Sequence, residues 1–142
     1  MRLHEEGVGE TKMAVPDDLR QVIEGAGGAE VLRAQLPDPE RIRTDSRLFH
    51  TLSDPLRLSI LFLLQSRPLC VSVIKEVLRV PDSKLSYHLS VLQSMRLIQG
   101  ERQANWIIYH ETPLGRRIVS RIEELSRTER EFQPPEASSV EI

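Results

Sequence analysis

Residues 80–98, VPDSKLSYHLSVLQSMRLI, decide how the chain is read, because lysine, serine, tyrosine and histidine there alternate with leucines at helical spacing. With Leu85 at zero and about 100° per residue, Leu85, Leu89 and Leu92 fall on one narrow face. Ser83, Tyr87, Ser90 and Ser94 fall opposite, with Lys84 and Ser86 flanking them. The stretch therefore predicts a helix over 83–96, capped by Asp82 or Ser83 after the break at Pro81. One face anchors it and a hydroxyl-rich face is left over. His88 sits at the edge of the apolar stripe, between the two.

Outward from this helix, the preceding run CVSVIKEVLRV predicts a short helix with Val73, Ile74, Val77 and Leu78 inward. Before it, SDPLRLSILFLLQS predicts a helix capped by Ser53 or Asp54, with Pro55 at the first helical position, where a missing N–H costs nothing. Leu56, Ile60, Leu61, Leu63 and Leu64 make it apolar on most sides. ERIRTDSRLFHTLS carries an incomplete stripe, Ile42, Leu48, Phe49 and Leu52, ending near Ser53.

On the other side, LIQGERQANWIIYHE changes period. Strands over Ile98–Arg102 and Trp106–His110, joined by a polar turn at Gln103–Asn105, predict a β-hairpin. PLGRRIVSRIEELSRTER follows as a helix with Leu114, Ile118, Ile122 and Leu125 in one stripe.

The order helix, helix, short helix, tight turn, helix, hairpin, helix is that of a mainly α winged helix-turn-helix with a small hairpin. Such a unit lays its second short helix in the major groove of DNA, where base edges can be told apart. The domain boundaries expected are a mobile N-terminus over 1–15, a helical extension over 16–38, the winged domain with its dimerisation helices over 39–131, and a disordered tail over 132–142.

LSDPLRLSILFLL, PLCVSVIKEVL, VPDSKLSYHLSVL and RLIQGERQANWIIYHE, taken in order, resemble the ArsR-type (ArsR/SmtB-like) transcriptional regulators. That family's pattern runs through a D-P-x-R-L-x-I-L helix, an S-x-H-L recognition helix and a G-x-x-x-W-x-Y-like wing. The resemblance covers roughly residues 47–111. It implies a homodimeric repressor that leaves its operator when an effector binds. It also implies that Ser83, Lys84, Ser86, Tyr87 and His88 lie on the DNA-contacting helix and that Arg102 and Gln103 form the wing tip. By chemistry, Ser90 joins the outward face, Lys84 suits phosphate, and Arg102 suits phosphate or a narrow minor groove. For His88, a packed structural role and a phosphate contact weigh equally.

The apolar stripes Leu48–Phe49 and Leu114, Ile118, Ile122 and Leu125 have no evident place in a compact core. They are expected to form a two-fold dimer interface, against the plainer alternative that they pack on each other within one subunit.

Many relatives of this type bind metal through a CVC pair. Here the run is CVS, and the hydroxyl of Ser72 is a poor ligand for soft metals. The other common site uses aspartate and histidine on the last helix, and residues 113–130 contain neither. No metal and no cofactor are expected, and the effector is unknown. Cys70 could act as a redox thiol at a helix N-terminus, although a small buried apolar role is the commoner fate of such a residue.

Composition is compatible with this reading and does not carry it. Net charge is −2 at pI 6.1, so nucleic-acid binding rests on local clusters. Only three of the 19 basic residues are lysine, which leaves arginine as the main source of positive charge. One cysteine excludes an intrachain disulfide. No apolar run of membrane-spanning length and no signal-peptide core is visible, so the expected compartment is cytoplasmic. An enzyme is disfavoured by the lack of a glycine-rich phosphate loop or of a nucleophile with a base partner. The competing function is a winged-helix interaction or architectural module that uses the same surface without sequence preference.

Overall fold

The structure is a computed structural model describing residues 15–128. The expectations for residues 1–14 and for the tail beyond 128 lie outside the described residues. The chain divides into two units between Ile42 and Arg43.

The first unit holds α1 (Asp17–Gly25) and α2 (Ala29–Ala34), neither with a buried residue. Gly27 and Gly28, at φ 94° and 92°, make the turn between them in a backbone region that side-chain-bearing residues rarely enter. Leu19, Val22, Val31, Leu32 and Leu36 are exposed.

α3 (Pro39–Leu52) crosses the division and leads into the second unit. There α4 (Pro55–Ser66), β1 (Leu69–Cys70), α5 (Val71–Leu78), α6 (Asp82–Ser94), β2 (Ile98–Gln103), β3 (Trp106–Glu111) and α7 (Pro113–Thr128) follow in order. The core is formed by Ile60, Leu61 and Leu64 of α4, Ile74 of α5, Leu85, Leu89 and Leu92 of α6, and Leu97, Ile98, Tyr109 and Val119. Each such aliphatic side chain contributes about 1.5–3 kcal/mol by leaving water. α4 starts as its sequence requires: Asp54 accepts the Arg57 N–H at 3.0 Å, and Pro55 occupies the first turn.

Several local expectations need correction. The helix at Cys70 starts one residue later, because Leu69 and Cys70 pair with Tyr109 and Ile108 as a third strand, giving the antiparallel order β1-β3-β2. Two residues are too few to leave a periodic signal. In α5 only Ile74 is fully buried, while Val73 and Val77 are 42% and 53% exposed, since four apolar positions in an eight-residue helix span more arc than the core covers. Gln103 belongs to β2, opposite Trp106, and the turn narrows to Ala104–Asn105, with Ala104 at φ 52°. Neither Asp82 nor Ser83 caps α6. Pro81 holds the cap position without a side-chain bond, and the Asp82 carboxylate instead meets Lys75 Nζ of α5 at 2.8 Å.

Candidate nucleic-acid interface

α6 is presented by the turn that precedes it. α5 ends on Arg79 in the left-handed region (φ 52°), whose N–H returns to Lys75 O at 2.8 Å. Val80 and Pro81 then redirect the chain, and the Leu85 N–H bonds to Pro81 O at 3.0 Å as the new helix begins. The Lys75–Asp82 pair spans the same turn.

Ser83, Lys84, Ser86, Tyr87 and Ser90 all lie exposed along α6, with Tyr87 62% accessible. The Ser90 hydroxyl donates back to Ser86 O at 2.9 Å. The structure thus gathers five of the expected residues on one face. Arg102 and Gln103 are exposed at the end of β2, and Trp106 and Ile107, opposite them in register, are exposed as well. Those two apolar residues of the wing are absent from the expected set; the β-branched and aromatic run that predicts the strand is the signal that holds them.

His88 is corrected. It is 6% exposed and cannot reach a ligand outside the fold. Three residues on from Leu85 and four before Leu92, it turns inward with the leucines and meets the equally buried Arg57 of α4. Arg57 Nη1 lies 3.2 Å from His88 Nδ1. A guanidinium only donates, so Nδ1 is the acceptor in this contact. The same guanidinium donates through Nε to Thr51 O at 2.7 Å and through Nη2 to His50 O at 3.3 Å, bonding two carbonyls in the last turn of α3. Asp54 completes the cluster, 3.9 Å from His88 Nδ1. The Arg57 backbone N–H above all, with the charge of the Arg57 guanidinium adding to it, holds the Asp54 carboxyl below its ordinary value of 3.8 despite partial burial. Arg57 therefore ties the end of α3, the start of α4 and the middle of α6 together. The D-P-x-R and S-x-H-L segments contained these residues, but nothing in their spacing showed that they meet.

The expected dimer residues separate into two places. Leu48, Phe49, Ile118, Ile122 and Leu125 line one apolar concavity of about 260 Å³ between α3 and α7, together with Leu52, Arg117 and Arg121. Leu48 and Ile118 also pack against the core, whereas Phe49 and Leu125 are 69% and 61% exposed. Leu114 lies elsewhere, in a trough with Gln93, Arg96 and Ile98 at the start of α7.

Cys70 is a half-buried free thiol in the N-cap position of α5 and makes no capping bond, and Ser72 is exposed. Among the described residues no group of three or more histidine, cysteine, aspartate or glutamate side chains could hold a metal ion, and no helix is long and apolar enough to cross a membrane.

Comparison with known proteins agrees with this architecture. The family pattern described as "Bacterial regulatory protein, arsR family" matches residues 54–99, from the cap of α4 to the start of β2. The arsenical resistance operon repressor of Bacillus subtilis is 38% identical over 71 residues, spanning 49% of this chain and 68% of that protein. NolR from Sinorhizobium fredii superimposes with a TM-score of 0.57 at 25% identity, over 64% of this chain and 95% of that one. A homodimeric winged helix-turn-helix DNA-binding domain from Mycobacterium bovis, 20% identical, shares the fold with a TM-score of 0.57 over 68% of this chain and 92% of its own. With a winged helix-turn-helix fold and this degree of likeness to an arsR-type repressor, the chain belongs to the arsR family of bacterial regulatory proteins.

Proposed function

We propose that the chain is a homodimeric, sequence-specific DNA-binding transcriptional repressor that reads its operator with α6 in the major groove and the β2–β3 wing alongside. One observation carries the reading. α6 is held from behind by Leu85, Leu89, Leu92 and the Arg57–His88 contact, and it offers Ser83, Lys84, Ser86, Tyr87 and Ser90 to the outside. Hydroxyls and a phenol suit base edges and phosphate oxygens, while Lys84 and, at the wing, Arg102 supply the positive charge that a net charge of −2 does not. Gln103 at the wing tip adds a further donor and acceptor.

The likeness to a repressor and to a homodimeric DNA-binding domain supports both the sign of action and the assembly. The α3–α7 concavity, with Phe49 and Leu125 exposed, supports a two-fold interface, and a dimer would present two copies of α6 to half-sites about 34 Å apart. Ser72 in place of a second thiolate argues against soft-metal sensing at Cys70.

The test is selection of bound fragments from genomic DNA, followed by titration against the selected sequence and random DNA at physiological salt. A specific repressor binds the selected site roughly 10³-fold tighter or better. Equal affinities would instead identify an architectural module and overturn the reading.

A further inference from the structure

Away from α6, a cavity of about 350 Å³ opens between the carboxyl end of α4, the end of β3 and the start of α7. Its origin lies in the sequence. β1 begins at Leu69, paired with Tyr109, and the residue before it is Pro68, which has no N–H to extend the ladder. On that side His110 and Glu111 pass the end of β1, and the space they border is lined by Leu64, Gln65, Arg67, Pro68 and Arg116.

The polar groups around this space are unevenly matched. The Glu111 side chain is only 6% exposed; its Oε1 accepts from Arg116 Nε at 2.9 Å, while Oε2 is buried without a partner. His110 Nε2 is likewise buried and unbonded; Glu101 Oε1 at 3.4 Å is near enough for charge but not aligned for a hydrogen bond. α4 ends here too, and helix carboxyl ends carry partial negative charge. Buried acceptors are ordinarily satisfied, so these two atoms of cavity-lining residues call for a donor, and the Glu111 carboxylate favours a cationic one. The exposed Arg67 lines the same cavity, as does Arg116, whose guanidinium is paired with Glu111 through Nε only, and both have donors to offer an anion. A single small molecule meets both demands when it carries both charges a few bonds apart, and the volume is at the lower end of the range for ligand pockets.

We propose that this cavity binds a free amino acid or a close zwitterionic analogue, its ammonium taken by Glu111 and its carboxylate by Arg67 and Arg116, with Leu64 and Pro68 against its side chain. Arg116 keeps its contact with Oε1 through Nε, and its 72% exposed side chain leaves the rest of the guanidinium for the carboxylate while the ammonium takes Oε2. The ligand touches α4, the wing strand β3 and helix α7 at once, so on the repressor reading above it is placed to act as an effector.

Calorimetric titration of the full chain with alanine, leucine and glutamine, and with ethylamine and propionate as the two halves of alanine, tests the site. The expected result is binding of at least one amino acid at one per chain, with ethylamine and propionate at least tenfold weaker than the amino acid. Glu111→Gln keeps the shape and removes the charge, and is expected to weaken binding at least tenfold. Arg67→Ala, at an exposed position that leaves folding intact, is expected to do the same and decides the matter should the Glu111 variant not fold. Absence of binding at millimolar concentration, unchanged binding in the variants, or propionate binding as well as an amino acid overturns the proposal. The measurement uses no DNA, so its failure leaves the operator-binding reading untouched, and the reverse also holds.

Discussion

At the scale of single residues, α6 assigns opposite roles to neighbours in sequence. Tyr87 is 62% exposed and His88 6%, although their rings touch edge to face with centroids 5.1 Å apart. Replacing both Lys84 and Tyr87 by alanine is expected to reduce operator affinity at least 100-fold while the melting midpoint moves by no more than about 5 °C, since exposed substitutions cost within about 0.5 kcal/mol each. Unfolding of that variant would contradict the assignment of a free face. Arg57→Ala has the converse expectation. It strips hydrogen bonds from His50 O and Thr51 O and removes the donor to His88, so a loss of about 2–4 kcal/mol in denaturant unfolding is expected. Asp54 gives a pH dependence of known sign. Its folded-state pKa lies below the ordinary 3.8, so the unfolded chain binds the proton more readily and the contribution of Asp54 is complete above that value. It fades as pH falls through the lower folded-state value. Asp54→Asn keeps an acceptor for the Arg57 N–H, so it is expected to remain folded at pH 7 and to flatten this acid limb in unfolding curves measured from pH 5 to pH 2.

Among the elements, the packing of α7 depends on a glycine that helical periodicity does not flag. Gly115 is buried in the first turn of α7, and a Cβ there would fall 2.2 Å from Leu97 O, a backbone atom that cannot step aside. Thr112 fixes the same junction. Its hydroxyl donates to Arg96 O at 2.6 Å and accepts the Gly115 N–H at 3.1 Å, and its own N–H bonds to Leu97 O at 3.0 Å. In an open helix, glycine to alanine stabilises by up to about 1 kcal/mol. Here Gly115→Ala is expected to reverse that sign and destabilise by about 1–3 kcal/mol or more, as overpacked sites do, when measured by chemical denaturation. The other elements were legible in the sequence to differing degrees. α4 announced itself through cap, proline and leucine spacing, α6 through Pro81 and leucine spacing, and the hairpin through its change of period. β1 was not legible, because a two-residue strand is defined by what it pairs with.

For the whole molecule, the proposed two-fold contact falls on the concavity between α3 and α7. Phe49 and Leu125 are 69% and 61% exposed there, while Leu48 and Ile118 already share the core, so on the dimer proposed above the first two are what a second copy would cover. Leu125→Glu is expected to shift the sedimenting mass at micromolar concentration from dimer to monomer and to weaken operator binding, because each half-site contact would then act singly. The exposed part of Leu125 makes wholesale unfolding the less expected result, and circular dichroism checks it. A variant that stays dimeric would place the two-fold contact elsewhere. Leu114, expected in the same stripe, is not expected to behave in this way, since it faces the trough beside Gln93 and Arg96.

Local rules written into the chain determined the order of the helices and the hairpin, the leucine-anchored and free faces of α6, and the proline-started α4. Helical and strand periods, caps and breakers act over a few residues, and these can be read without knowing the fold. Which polar groups meet across the fold was decided only by tertiary structure. Arg57 and His88 are 31 positions apart, Gly115 is placed against Leu97, and Glu111 is buried beside the end of α4. Such contacts are set by how helices and strands pack on one core, and a sequence period is blind to what stands on the other side of the interface it predicts.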